Sequence, residues 1–149
     1  MEKPVLIRTT MAAAMLLATA GLARADAPNV IEMRQTGMGL GSANLAGIRA
    51  VIAAKGDVKT LENPAKALQR WAAFIPSVFP KGTETGGNTR ALPEIWSNSA
   101  GFQKAAAGLG EAAGVLMAAA KAGDAEAVAA AVKGVGDACG TCHGTYRAK

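Results

Sequence analysis

Apolar residues recur at seven-residue intervals along two long stretches of this chain, at Ile31, Met38, Leu45 and Ile52, and again at Ile95, Phe102, Leu109 and Leu116. A seven-residue interval is close to two helical turns, so each set lines one face of a helix. The first stretch predicts a helix from about Pro28 to Lys55, with Ile48 and Val51 on the same side, stopped by Gly56-Asp57. A second helix is predicted from Pro64, behind an Asn63 cap, carrying Leu68, Trp71, Ile75 and Phe79; Pro76 either kinks it or ends it. The third opens with Pro93 in its first turn and runs to Gly123. Asp124 caps the fourth, which carries Val128, Val132, Val135, Cys139 and Cys142 to about Tyr146. Between the second and third helices, "PKGTETGGNTRAL" (80–92) is turn chemistry.

Alanine, leucine and methionine dominate and β-branched runs are absent, so the expected class is all-α. Four amphipathic helices with mostly short links predict an antiparallel up-down-up-down four-helix bundle, and heptad spacing favours its shallow crossing angles. One feature works against it. Gly37, Gly39, Gly41, Gly134 and Gly136 fall inside expected helices, each costing about 1 kcal/mol relative to alanine, so these helices need close packing or a large buried group.

The start of the chain reads differently. Lys3 and Arg8 precede the apolar run Met11–Ala23, which is short for a membrane span, and Ala23-Arg24-Ala25 has the small-x-small pattern of a signal-peptidase site. Residues 1–25 are therefore expected to be a cleaved export signal, with the cut after Ala25 (Ala27 is the alternative), and 26–149 one domain. Without the signal, 13 Lys+Arg stand against 10 Asp+Glu, a net charge of +3. No dense basic run or aromatic interleaving supports nucleic-acid binding, and no later apolar stretch is long enough for a membrane span.

The soft-metal chemistry is concentrated near the C-terminus. Both cysteines and the single histidine form Cys139-Gly-Thr-Cys142-His143. On a helix, positions i, i+3 and i+4 share a face, which lets two thiols bond the vinyl groups of a haem while the adjacent imidazole ligates its iron; C-x-x-C-H is the c-type haem attachment pattern. A Cys139–Cys142 disulfide in a haem-free helical protein is the bland alternative, and it leaves His143 without a role. A thioredoxin-like pair needs a βαβ context that is missing, and zinc needs four ligands. Six residues follow His143, so a group facing the other side of the iron is expected from upstream. Met33, Met38 and Met117 are the thioether candidates after signal cleavage. Met38 is the best placed, on the inward face of the first helix with Arg34 one turn before it, and it either packs over the iron or ligates it.

"MRQTGM" (33–38), "FPKGT" (79–83), "TRALPEIW" (89–96) and "CGTCHGTYR" (139–147) together resemble the class II c-type cytochromes, specifically the cytochrome c′ family, over nearly all of the mature chain. The resemblance implies one covalent haem c per chain, held through Cys139 and Cys142 inside the bundle, with His143 as the proximal iron ligand. It places Met38 at the distal position, Arg34 and Gln35 at the haem and its propionates, Phe79 on the distal side, Asn88 and Thr89 near a propionate (Asn88 in place of a frequent aspartate), and Arg147 beside the proximal face. It further implies a periplasmic haem protein without a substrate of its own, binding NO or CO at a five-coordinate iron, exchanging electrons with a partner, or both. The alternative is a six-coordinate electron-transfer cytochrome with Met38 as second axial ligand. Family members often form homodimers through their first two helices.

Overall fold

The computed structural model describes residues 29–149, so the expected signal peptide and its cleavage site lie outside the described residues. Four long helices follow one another: α1 (Val30–Ala53), α2 (Glu62–Phe74), α4 (Ser99–Ala122) and α5 (Ala125–Tyr146), with a single turn, α3 (Glu94–Ser97), before the third. They form the all-α four-helix bundle expected. The α1 N-terminus is capped by Asn29, whose Oδ1 accepts from Ile31 N at 3.0 Å and Glu32 N at 3.4 Å. Its C-terminus differs from expectation in one residue. Lys55, not Gly56, takes the left-handed conformation (φ 53°), while Gly56 N donates to Val51 O and Lys55 N to Ile52 O. These are the paired bonds of a Schellman motif, one position earlier than the glycine suggested.

The second helix starts two residues earlier than expected, directly after a 3₁₀ turn over Val58–Leu61 that Asp57 caps through Lys59 N. Asn63 is exposed inside the first turn and is not the cap. Pro64 lies in that turn, where its missing N–H costs nothing, and its carbonyl accepts from Asn44 Nδ2 at 2.8 Å, tying α2 to α1. Pro76 ends α2: the helix stops at Phe74 and a 3₁₀ turn, Ile75–Val78, takes over. The expected third helix is broken at Asn98 (φ −123°, ψ 57°), whose side chain accepts from Gly101 N and caps α4. Gly123 (φ 76°) and Asp124 then end α4 and cap α5 as expected.

Phe102, Leu109 and Leu116 of α4 are buried, as are Val128, Val132 and Val135 of α5. Helix α4 is the centre of the bundle, packed along its length against both α2 and α5, whereas α1 meets its neighbours more thinly. Only part of its heptad face closes on the core: Leu45 and Ile48 are buried, while Ile31, Met38 and Ile52 stay half-exposed. A cavity opens beside α1 for that reason. Among the described residues no helix is long and apolar enough to cross a membrane.

Candidate functional site

The cavity has a volume of about 550 Å³ and lies between α1, α2, α4 and α5. Helix α5 brings Cys139, Cys142 and His143 to its wall, because their spacing keeps them on one helical face. Helix α1 brings Arg34, Gln35 and Met38. The 3₁₀ turn after α2 delivers Phe79, the loop contributes Asn88 and Thr89, and Arg147 stands at the end of α5. All ten residues singled out from the sequence thus face one space.

Burial sets the protonation of the α5 groups. It raises the thiol pKa values of Cys139 and Cys142, so both stay protonated at neutral pH as free cysteines. Burial also lowers the pKa of His143, helped by the positive charges of Arg147 and Arg90. Its imidazole is therefore neutral at neutral pH and keeps a lone pair for a metal.

The α1 polar residues do something the sequence did not reveal. Arg34 is 2% exposed, and its guanidinium donates to Thr83 Oγ1 at 2.9 Å, Thr83 O at 2.8 Å and Thr89 Oγ1 at 2.8 Å. It also lies 4.7 Å from the Phe79 ring centroid and 5.9 Å from that of Trp96, a cation–π arrangement. Burial lowers its pKa and nearby Glu84 opposes that shift, but an arginine stays charged regardless. Gln35 Nε2 donates to Gly87 O and Asn88 O. The two residues therefore clamp the 83–89 loop onto α1. Asn88 takes φ 55°, a conformation asparagine tolerates better than most residues.

The loop's far end is stitched to α5. Ala91 and Arg147 form an antiparallel bridge, Leu92 N donates to Tyr146 O, and Ala148 N donates to Arg90 O. Arg147 is thus anchored through its backbone and is not a frayed end. An edge-to-face aromatic stack runs from Trp96 through Phe79 and Phe102 to Tyr146, with centroids 5.0–6.2 Å apart, and its last three rings line the cavity. Trp96 Nε1 donates to Phe79 O and Pro80 O, which fixes Phe79.

Sequence reasoning missed Arg49, Arg90 and Trp71 as lining residues. Arg49 could have been found, since it follows Arg34 by fifteen residues, close to four helical turns. Four arginines and no carboxylate line the cavity. An apolar space with paired thiols and an imidazole on one wall and arginines at its rim fits a haem, which has an apolar body, two vinyl groups and two anionic propionates. A bare metal ion fits less well: among the described residues no group of three His, Cys, Asp or Glu could hold one.

Known proteins point the same way. A family model described as Cytochrome C' matches residues 29–147. Cytochrome c-556 of Agrobacterium tumefaciens (strain B2A) is 40% identical over 93 residues, which cover 62% of this chain and 74% of the relative. Cytochrome c′ of Rhodopseudomonas palustris is 29% identical over 96 residues, 64% of either chain, so that match spans just under two thirds of the relative. Among solved structures, cytochrome c′ from Thermochromatium tepidum superposes with a TM-score of 0.74 at 34% identity, covering 80% of this chain and 95% of the other. A nitric oxide complex of a mutant cytochrome c prime from Alcaligenes xylosoxidans gives a TM-score of 0.72 at 30% identity, with 80% and 94% covered. The chain belongs to the cytochrome c′ family, non-enzymatic haem proteins whose membership implies a covalently held haem c.

Proposed function

We propose that this chain is an exported, periplasmic cytochrome that holds one haem c through Cys139 and Cys142, with His143 as proximal ligand, and binds small neutral gases at a five-coordinate iron. The observation carrying this reading is the convergence of these three side chains on a cavity whose α1 wall bears Met38. Once in place, the haem supplies an iron that takes a diatomic ligand or changes valence. The chain supplies the environment. His143, kept neutral by burial and two arginines, presents a lone pair from α5. Met38 offers an apolar cover on the α1 side, which disfavours charged or bulky ligands and tolerates NO or CO. Phe79 lines the same space. Arg49 and Arg90 line the cavity and make no side-chain hydrogen bond or ion pair among the described residues, so they are free to hold the propionates, and Arg147 keeps a positive charge beside the proximal ligand. The nitric oxide complex of a structural relative supports gas binding.

A second reading has Met38 ligating the iron in a six-coordinate electron carrier, and the presence of its thioether on the cavity wall favours it. Absorption spectra of the purified mature protein, oxidised and reduced, with and without CO, separate the two. High-spin spectra with a clean CO shift support the gas-binding reading. Low-spin spectra indifferent to CO replace it with electron carriage. Haem that leaves the polypeptide on a denaturing gel overturns covalent attachment and both readings with it.

A further inference from the structure

A second depression lies on the outer face of α1 and α2. It is a groove of about 830 Å³ open to solvent, lined mainly by apolar residues, including Leu40 (67% exposed) and Phe74 (49% exposed), together with Glu32, Thr36 and Asn44. Groove and cavity share three lining residues, Gly41, Leu68 and Trp71, so the partition between them is one side chain thick.

The Trp71 indole is the body of that partition. It lies in a slot left by two glycines of α1. A Cβ on Gly37 would come within 2.6 Å of ring atoms Cζ2 and Cζ3, and one on Gly41 would lie 3.6 Å from Cδ1. Gly37 and Gly41 flank Met38 along the helix, so the slot sits beside the residue proposed to cover the iron. Unlike Trp96, whose indole N–H is held by two carbonyls, Trp71 makes no hydrogen bond among the described residues. Only packing retains the ring. Displacing it breaks no side-chain hydrogen bond among the described residues, and the opening left is bordered by Gly41 and Leu68, which both spaces share, so it suits a small neutral molecule better than an ion.

We propose that Trp71 is a gate between the α1–α2 groove and the distal half of the cavity, and that its displacement admits diatomic gases by a route separate from the cavity mouth. This rests on the haem-and-gas reading above. A gate alters the barrier and not the bound state, so its removal changes association and dissociation alike and leaves affinity untouched.

The test is CO rebinding after flash photolysis of the reduced holoprotein, comparing wild type with W71A, W71F and G37A. In W71A both rate constants are expected to rise by about tenfold, the effect of roughly 1.4 kcal/mol off a barrier, with Kd unchanged. G37A, whose Cβ drives the ring from its slot, is expected to move both rates in the same direction even if W71A folds poorly. Rate constants within about twofold of wild type in every variant, or a changed Kd with unchanged association, overturn the gate. A companion measurement needs no open iron position: quenching of the porphyrin triplet by dissolved oxygen in zinc-substituted protein. Faster quenching in W71A and G37A supports the gate, and unchanged quenching overturns it. Failure of wild-type protein to bind CO, with quenching still faster in the variants, overturns the five-coordinate reading alone. Both measurements are made at low and high protein concentration, so that covering of the groove by a second copy is read separately.

Discussion

Arg34 offers a sharp test of how the loop over the cavity is held. In Arg34→Lys the charge and most of the stem remain, but the planar fork is lost. A lysine ammonium can retain one of the three acceptors now served by Arg34: Thr83 Oγ1, Thr83 O and Thr89 Oγ1. Two charge-assisted hydrogen bonds, each worth about 1.5 kcal/mol at the low end for such bonds, are then lost. Partial rehydration of the loop returns some of this, so about 2 kcal/mol of destabilisation is expected. Arg34→Met keeps the bulk and removes the charge; relief from burying the guanidinium offsets part of its larger loss of bonds, and it is expected to fall within about 1 kcal/mol of the lysine variant. Urea unfolding of the holoprotein measures the total, and amide exchange over 83–89 tells whether the loss is local. A lysine variant within about 0.5 kcal/mol of wild type, with loop exchange unchanged, refutes the clamp. A methionine variant far below the lysine one would mean that charge, not fork geometry, matters.

Gly134→Ala is expected to stabilise the protein by about 1 kcal/mol, since an added Cβ meets nothing within 4 Å and alanine is the better helix former; a lower unfolding midpoint would contradict this. Gly101→Ala is expected to destabilise it by roughly 1–3 kcal/mol, because its Cβ would lie 2.6 Å from the Tyr146 hydroxyl and 2.5 Å from Asn98 Nδ2. The pKa of Glu84 is lowered chiefly by the hydrogen bond from Gly82 N. A depressed carboxylate pKa contributes stability that is present above the unfolded value and lost as pH falls through the folded one. Loop protection over 82–84 is therefore expected to decline below the ordinary glutamate range, and the decline should vanish in Glu84→Gln; an identical pH profile in that variant would rule the contact out.

The long helices were legible because burial on α4 and α5 follows one stripe, and heptad spacing reports a stripe directly. The site motif was legible because helical spacing alone puts Cys139, Cys142 and His143 on one face. What escaped the sequence depends on contacts between distant segments. Nothing near Arg34 in the chain announces that its partners stand 49 and 55 residues away. The Asn63 cap failed because a 3₁₀ turn already led the chain into α2, leaving no free helix end at that residue. Asn98 was overlooked because the seven-residue repeat passes through it unbroken while the backbone does not. The helical glycines were flagged as a cost, yet only the fold shows that Gly37 and Gly41 answer to Trp71 whereas Gly134 answers to nothing.

The thin seam around α1 has a consequence for the order in which the molecule comes together. Helices α2, α4 and α5 share a continuous buried interior, while α1 carries four glycines and docks through few buried side chains. Cooperative units that few contacts hold open most readily, so α1 is expected to be the first helix to detach and the last to settle. In the chain without cofactor, three helices would then form a persistent core and the fourth a hinged wall. The attachment motif, on the persistent part, stays reachable across the gap. A covalently placed group that fills the space would let the wall close behind it, so the docking of α1 would follow cofactor attachment.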